Sequence, residues 1–212
     1  MIDNVSFSYN GIDNIINNMC LKINAQEKVL ICGKSGCGKS TLVKLINKFY
    51  TDYQGRIYID SRELHDYELS DIRSKICYVS QNEMLFTDTL YNNLSLSNEV
   101  DYDYFLKVNE LTCVSEIVEK LPLGYDTVIE ENGFNFSGGE KQRIILSRAI
   151  FKNADVYIFD EALSAIDIER ERTIIKNIFD LFKNKTIIIV SHRFNNEDLF
   201  DRKINFEVAN EY

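Results

Sequence analysis

A glycine-rich stretch lies near the start of this 212-residue chain and reads Gly33-Lys34-Ser35-Gly36-Cys37-Gly38-Lys39-Ser40. It follows the apolar run at residues 29–32, which predicts a strand, and precedes residues 41–49, whose pattern predicts a helix. Glycines let a backbone turn sharply and present its N–H groups, and a helix N-terminus attracts anions. Lys39 is placed to reach the β and γ phosphates of a nucleotide and Ser40 to ligate magnesium. The strand-loop-helix context favours a phosphate-binding loop over an ordinary glycine-rich turn.

Composition narrows the class of partner. With 212 residues, 45% of them hydrophobic, the chain is long enough for one large domain or for one domain with an inserted lobe. The formal charge of −9 provides no general basic field for nucleic acid, so we predict no nucleic-acid partner. The five cysteines show neither C-x-x-C pairs nor metal-type clusters, which favours a reduced, cytoplasmic setting.

Strands and helices alternate along the chain. Apolar patterning predicts strands at residues 5–8, 20–23, 28–32, 55–59, 76–80, 156–159 and 186–190, and helices at 138–151 and 169–182. Helical intervals between residues 89 and 122 predict an inserted helical lobe. The alternation predicts a parallel sheet, and ligands of such sheets bind at the carboxyl ends of the strands. Lys39, Gln81, Asp160 and His192 all fall at or just beyond such an end.

Two acids, Asp160 and Glu161, follow the predicted strand at residues 156–159. Adjacent residues at a strand end point in different directions, which allows Asp160 to hold magnesium while Glu161 faces an attacking water. The alternative is a solvated acidic turn.

A second glycine motif, Ser137-Gly138-Gly139-Glu140, precedes the helix at 138–151. Serine followed three residues later by glutamate is a capping box and could simply start that helix. Two glycines in a first turn nevertheless cost about 1 kcal/mol each in helix propensity, and bare glycines let a phosphate approach the N–H groups. The two interpretations are compatible.

Residues 136–143, together with the phosphate loop before them and the acids after them, resemble the signature region of the ATPase domains of ABC transporters. The resemblance covers nearly the whole chain. Five smaller motifs follow in that family's order: Tyr9, Gln81, Glu131, the D-loop Ser164-Ala165-Ile166-Asp167, and His192. Taken singly, Tyr9 is explained as a strand aromatic, Gln81 as a polar strand cap and His192 as a structural histidine.

The resemblance implies a role for each motif. Tyr9 would stack on adenine, Lys39 would bind the β and γ phosphates and Thr41 the α phosphate. Magnesium would be held by Ser40, Gln81 and Asp160. Glu161 would be the general base and His192 would contact the γ phosphate. Two such domains close head to tail in this family, so Ser137, Gly138, Gly139 and Glu140 would meet the ATP bound by a second copy. A lone subunit is therefore expected to be nearly inactive.

The resemblance also implies an architecture. We expect an α/β fold with a P-loop NTPase core, a mainly parallel sheet, an N-terminal antiparallel β part and an inserted helical subdomain. The expected division of the ABC ATPase domain at 1–212 is residues 1–81 and 153–212 for the core, and about 82–152 for the helical subdomain. Two features depart from the family. Phe136 and Glu140 replace a usual leucine and glutamine, and residues 195–212 end the chain where relatives usually continue with a further strand and helices, which suggests a trimmed or short domain.

The stretch at residues 82–94 resembles the segment that exporters place against the coupling helices of their membrane part, the alternative being an ordinary loop and helix start. We therefore expect a transmembrane domain as partner, in the same full-length polypeptide and with this domain on the cytoplasmic face of the membrane. Within the exporters, the sequence resembles bacterial peptide, lantibiotic or bacteriocin exporters. The other hypotheses are a soluble ABC ATPase of translation or DNA repair, and a nucleotide-sensing subunit that does not hydrolyse ATP. The complete set of Lys39, Asp160, Glu161 and His192 argues against the last.

Cys37 lies inside the phosphate loop, two residues before Lys39. The lysine charge would favour a thiolate, which suggests that alkylation there inhibits nucleotide binding and that ATP protects against it. The alternative is an inert small residue in a tight turn.

Overall fold

The computed structural model describes residues 1–96, 99–193 and 196–210. Its contacts divide the chain into two compact units. The first unit comprises Met1–Tyr78, Ala154–Glu161 and the chain from Asn184 onward, and the second comprises Val79–Asn153 and Ala162–Lys183. Within the described residues, no helix is long and apolar enough to cross a membrane.

A five-stranded sheet forms the centre of the first unit. Its strands are β3 (Lys28–Cys32), β6 (Ile76–Val79), β7 (Val156–Asp160), β8 (Thr186–Ser191) and β9 (Arg202–Asn205), in the order β6-β7-β8-β3-β9. β7, β8, β3 and β9 pair in parallel. Every residue of β3 is buried, as expected for a strand whose two faces are both covered. The carboxyl ends of these strands consequently share one edge of the sheet.

A four-stranded sheet precedes it in the first unit. β1 (Ile2–Phe7), β2 (Ile16–Leu21), β4 (Gln54–Ile59) and β5 (Arg62–Glu63) lie in the order β2-β1-β4-β5 and pair antiparallel. At Gly55, where φ is 84°, an added Cβ would lie 2.2 Å from the carbonyl oxygen of Asn4, so only glycine allows this close approach of β4 to β1.

Among the described residues, the first unit contains three α-helices: α1 (Lys39–Ile46), α2 (Leu69–Lys75) and α8 (Phe206–Ala209). α1 buries Leu42, Val43 and Leu45, and these side chains join the core formed by the two sheets. Burial of this apolar face holds the first turn of α1 directly after the loop that follows β3.

The second unit is helical. It contains α3 (Leu90–Ser95), α4 (Tyr102–Leu111), α5 (Ser115–Val118), α6 (Gly138–Ile150) and α7 (Ile168–Leu181). The side chains of Thr89, Asp101 and Asp167 cap the N-termini of α3, α4 and α7. Phe105 of α4 is fully buried and stacks on Phe151 just beyond α6, with ring centroids 5.7 Å apart.

The predicted fold class is confirmed: the structure is an α/β fold with a parallel sheet and an N-terminal antiparallel sheet. Among the described residues, two strands (β5 and β9) and two short α-helices (α2 and α8) were not predicted. β9 was missed because only Ile204 among its four residues is buried, so this edge strand shows too little apolar alternation. A strand is therefore present after His192, within the segment that was expected to end the chain where relatives continue. Residues 195 and 212, which bounded that expectation, lie outside the described residues.

The division by contacts differs from the predicted one mainly in one segment, apart from shifts at the boundaries of one to three residues at 79–81 and 153. Residues 162–183, expected in the core, group with the helical unit. The reason is that α7 packs on α4, where Asn177 Nδ2 donates a hydrogen bond of 2.9 Å to the carbonyl oxygen of Leu111.

Candidate nucleotide site

The loop between β3 and α1 is shaped by its glycines. Gly38 has φ 109° at the N-cap of α1, and a Cβ there would lie 2.9 Å from Ile15 Cγ2 and 3.2 Å from the carbonyl oxygen of Ile15. Glycine is therefore required both by conformation and by space. No side chain caps the N-terminus of α1. Its first N–H groups and the positive end of its dipole remain directed toward the loop, where an anion binds favourably.

Lys39 is the buried cation of this loop, with only 4% of its surface exposed. Its Nζ donates hydrogen bonds of 2.8 Å to the carbonyl oxygens of Gly33 and Lys34. Cys37 Sγ lies 3.8 Å from the same nitrogen. The loop carbonyls thus fix a full positive charge beside the amides that open α1, an arrangement suited to a polyphosphate.

Asp160 at the end of β7 contacts two hydroxyl groups. Ser40 Oγ donates to Oδ1 at 3.1 Å and Tyr78 Oη to Oδ2 at 3.3 Å. Burial of Asp160 raises the pKa of its carboxyl above the ordinary value, the two hydroxyl bonds oppose this rise, and the charge of Glu161 adds to it. A hydroxyl beside a carboxylate forms part of a hard-oxygen ligand set for Mg²⁺, which keeps waters and takes substrate phosphates as further ligands.

Glu161 has an unusual backbone conformation. Its φ is 53°, in the left-handed region that costs a bulky residue on the order of 1 kcal/mol. Its N–H donates to the carbonyl oxygen of Val190 at 3.0 Å, which ties this turn to the neighbouring strand β8. The side chain is 16% exposed, and its Oε1 lies 3.6 Å from Nδ1 of His192, whose side chain is 48% exposed. β7 and β8 therefore bring together Glu161, the predicted general base, and His192, which is predicted to contact the γ phosphate.

Tyr9 lies beside the start of α1. Its Oη is 3.0 Å from Thr41 Oγ1, and its ring is packed edge-on against Phe7 and Tyr50, with centroids 5.0 and 5.3 Å away. Half of the residue's surface remains exposed, which leaves a flat aromatic surface close to the loop. Such a surface suits the stacking of a purine ring.

The second glycine motif begins α6 in the second unit. The predicted capping box is present: Glu140 Oε2 accepts from both the N–H and the Oγ of Ser137 at 2.8 Å, and Ser137 Oγ accepts from the Glu140 N–H at 3.4 Å. Burial disfavours ionisation of Glu140, but the bonds from Ser137 outweigh it and lower the carboxyl pKa. Ser137 and Gly138 are exposed. Gln81, exposed in the turn after β6, and Glu131, at the start of a short 3₁₀ helix, belong to the same unit.

Two contacts at the first unit's site were not predicted. Tyr78 bonds to Asp160 from β6, and Glu207 of α8 accepts the N–H of Lys34 at 3.0 Å. The order of strands in a sheet is not encoded in hydrophobic period, so no sequence signal places Tyr78 beside Asp160. Glu207 follows a strand that the pattern did not reveal.

A phosphate loop after one strand of a parallel sheet, with a buried aspartate and an adjacent glutamate at the carboxyl end of another strand of that sheet, defines the class of P-loop nucleoside triphosphatases. The comparisons with known proteins specify the family. The family model described as ABC transporter matches residues 16–164, which is most of the chain. The chain belongs to the ABC transporter family.

Several curated relatives are ATP-dependent lipid A-core flippases. The chain is 40% identical to the flippase of Haemophilus influenzae strain 86-028NP over 193 residues, which cover 90% of the chain and 33% of the relative. It is 37% identical to that of Escherichia coli strain K12 over 207 residues, covering 96% of the chain and 36% of the relative. The chain thus spans about a third of the length of these relatives.

One solved structure, described as a bacterial Atm1-family ABC exporter with ATP bound, superimposes with a TM-score of 0.90. The match covers 97% of this chain and 37% of that one at 30% identity. The chain is accordingly an ATP-binding and ATP-hydrolysing domain of exporter type, as predicted. The narrower resemblance to peptide exporters finds no support, because the relatives reported above are named as lipid flippases.

Proposed function

We propose that two copies of this domain enclose two ATP molecules head to tail and that their hydrolysis powers an exporter. The single observation that carries the proposal is the convergence at one edge of the parallel sheet of Lys39, the Ser40–Asp160 pair and the Glu161–His192 pair. In this role residues 1–81 and 153–212 form the catalytic core and about 82–152 the helical subdomain.

The phosphate loop binds the triphosphate. Residues 33–41 direct N–H groups at the phosphates, and Lys39 exchanges its bonds to loop carbonyls for bonds to the β and γ phosphates. Mg²⁺, held by Ser40 and Asp160, would neutralise the charge that develops between the phosphates. The residues present fit the ion, because Ser40 Oγ already lies 3.1 Å from a buried carboxylate oxygen.

Glu161 and His192 act on the attacking water. Glu161, in its left-handed turn after β7, accepts the water's proton or orients the water. His192, 3.6 Å from Glu161, contacts the γ phosphate and keeps the attacking geometry. Tyr9 stacks on the adenine. Catalysis of this kind depends on positioning and electrostatics more than on covalent chemistry.

The signature motif serves the other copy. Ser137, Gly138 and Gly139 are proposed to bind the γ phosphate of ATP held by the partner's phosphate loop, with Glu140 fixing Ser137. The exposure of Ser137 and Gly138 supports this role, since it leaves the backbone at the start of α6 accessible to a second molecule. Each site is completed only in the dimer.

The transported molecule is determined outside this chain. We propose that a transmembrane domain, continuous with this one at the cytoplasmic face of the membrane, contacts the cargo, because the chain spans about a third of its relatives. Those relatives are named for the transport of lipid A-core. A lipid-linked amphiphile is therefore the cargo class that the comparisons favour, while a peptide remains a prediction from sequence character.

The proposal is tested by the concentration dependence of hydrolysis. Phosphate release by the chain with ATP and Mg²⁺ should rise faster than linearly with protein concentration, because the active form is a dimer. The Lys39→Ala variant is the matched inactive control. Absence of Mg²⁺-dependent affinity for adenine nucleotides would exclude the proposal, and binding without hydrolysis at any concentration would identify a sensing subunit.

The cargo is tested in the full-length exporter reconstituted in vesicles. Stimulation of hydrolysis by a lipopolysaccharide core lipid, and not by a cationic peptide, would favour the lipid class. The opposite result would favour the peptide. A pull-down with DNA or RNA that retained the chain would instead support a soluble ATPase acting on nucleic acid.

A further inference from the structure

The signature helix α6 and the D-loop, residues 164–167, are joined by a side chain to which no role has been assigned above. Gln142 Oε1 accepts the backbone N–H of Ala165 at 2.7 Å, and Gln142 Nε2 donates to Ser164 Oγ at 3.1 Å. One amide therefore satisfies a main-chain donor and a hydroxyl of the same loop. Because both of its ends are used, the amide fixes the distance and the orientation of the loop relative to α6.

Gly139, which lies close to this joint, is required for the close approach of the D-loop to α6. A Cβ built on Gly139 would lie 2.8 Å from the carbonyl oxygen of Ala165, whereas one built on Gly138 would lie 3.4 Å from Ala165 Cβ. The first distance is a clash with backbone, which has no rotamer to change. Gly139 thus allows the D-loop to pass close over the first turn of α6, independently of any phosphate.

A second connection holds the far end of the D-loop. Arg170 of α7 bonds Asp167 at 3.0 Å and Glu116 at 3.0 Å, and Glu116 also bonds Arg143 of α6 at 3.3 Å. The backbone N–H and the guanidinium of Arg170 lower the carboxyl pKa of Asp167. Arg143 is anchored in turn by a bond of 2.6 Å to the carbonyl oxygen of Cys113. The loop is therefore attached to α6 at both ends.

We infer that Gln142 is a positioning residue for ATP hydrolysis, which makes the signature turn and the D-loop one rigid element. The inference rests on the proposed function. The D-loop begins three residues after Glu161, and Ser137 lies five residues before Gln142. Movement of the signature turn on binding the partner's ATP is thereby passed to the segment that follows the catalytic glutamate.

The test compares three substitutions at the joint. Gln142→Leu keeps the volume but removes both bonds, Ser164→Ala removes only the 3.1 Å bond, and Gln142→Glu restores both, since its oxygens accept from the Ala165 N–H and from the Ser164 hydroxyl. Lys141→Ala is the control on the same helix, because the Lys141 ammonium lies 5.8 Å from the Phe134 ring, away from this joint.

Three quantities are measured for each variant: kcat for hydrolysis, the Kd for ATP, and hydrogen exchange of the Ala165 amide. For Gln142→Leu we expect kcat to fall about tenfold or more, with the Kd of the undimerised chain unchanged and Ala165 exchange accelerated about tenfold or more. Ser164→Ala should be intermediate, and Gln142→Glu and Lys141→Ala close to the unsubstituted chain.

Equal kcat in Gln142→Leu and the unsubstituted chain would overturn the inference, as would a loss of kcat with no change in Ala165 exchange. If Gln142→Leu does not fold, Ser164→Ala and Gln142→Glu decide the question by the same readouts. An unsubstituted chain that does not hydrolyse ATP would refute the proposed function instead. Exchange at Ala165 would still report whether the joint exists.

Discussion

The phosphate loop and the signature turn, the two regions that we propose to face nucleotide, are built in different ways. At the phosphate loop, the functional groups are buried and held by one another: Lys39 donates to two loop carbonyls, and Ser40 and Tyr78 donate to Asp160. At the signature turn, Ser137 and Gly138 are exposed, and the bonds of Ser137 go to Glu140 of its own helix. The first region is preorganised by a sheet; the second is preorganised by a capping box and the Gln142 joint.

This difference indicates that the free energy of ATP binding comes mainly from the phosphate loop, and that coupling to a second copy comes mainly from the signature turn. At the phosphate loop, the buried groups are already in place and only the bonds of Lys39 need to be exchanged when a ligand arrives, so this region supplies affinity and electrostatic stabilisation. An exposed helix start supplies a surface for a second molecule. We therefore expect substitutions in the first region to act on a single chain and those in the second to act only through the dimer.

The largest effect should follow Glu161→Gln, which tests the division within the first region between binding and chemistry. The amide keeps the size of the side chain but cannot take a proton, so hydrolysis should fall roughly 10²–10⁴-fold while ATP binding persists. Phosphate release and ATP binding are measured side by side, with the exposed Glu169→Gln of α7 as control. An unaltered rate, or an equal loss of binding, would contradict the assignment.

A smaller loss is expected for Lys39→Ala. Removing the buried ammonium deletes charge-assisted bonds worth about 1.5–3 kcal/mol, so the Kd for ATP should rise about 10–100-fold. Lys34→Ala is the matched control within the same loop, because the Lys34 side chain is 87% exposed while its backbone N–H is retained. Calorimetric titration of each variant decides the point. Equal losses for both lysines would show that only the total charge of the loop matters.

Thiol labelling follows in size and tests whether the phosphate loop is covered by nucleotide. Cys37 is partly exposed and its Sγ lies 3.8 Å from Lys39 Nζ, so iodoacetamide should reach it. Bound ATP with Mg²⁺ should slow the alkylation of Cys37 about tenfold or more, because only the small fraction of sites without nucleotide reacts at saturating ligand. Cys20 is exposed outside the loop and serves as the internal control by mass spectrometry. Identical alkylation rates at Cys37 with and without ATP would show that the phosphate loop is not part of the nucleotide-binding site.

The two regions also differ in how far sequence predicts them. The phosphate loop and the acids at the end of β7 follow from local rules: a glycine spacing, a strand and its carboxyl end. The capping box at the start of α6 is likewise predicted by a local rule. Contacts between distant segments are not predicted by such rules. Gln142 meets Ser164 across 22 positions and Tyr78 meets Asp160 across 82, and neither pairing follows from periodicity. β9 was missed because an exposed edge strand has only one buried residue.

The smallest expected effect is on stability. It separates the free energy that burial of the Asp160 carboxylate costs the fold from the use of that carboxylate in binding Mg²⁺. Because burial raises the Asp160 pKa, the folded state favours the neutral form, so this group's contribution to stability is present below its ordinary pKa of 3.8 and is lost as pH rises through the folded pKa. At pH 7 the charged carboxylate therefore opposes folding. Asp160→Asn is neutral at every pH and retains an oxygen for the hydroxyl of Ser40 or Tyr78.

We expect Asp160→Asn to abolish Mg²⁺-dependent hydrolysis yet to raise the Tm of the ligand-free chain at pH 7 by about 2–4 °C, corresponding to about 1 kcal/mol. The gain should shrink as pH is lowered through the folded pKa. Asp155→Asn, just before the first residue of the same strand, is the control: the Asp155 side chain is 66% exposed and pairs with Lys185 at 3.4 Å, so removal of its charge should not stabilise the fold. A lower Tm for Asp160→Asn at pH 7 would mean that the bonds from Ser40 and Tyr78 outweigh the burial of the charge, and that this half of the site is assembled without cost to the fold.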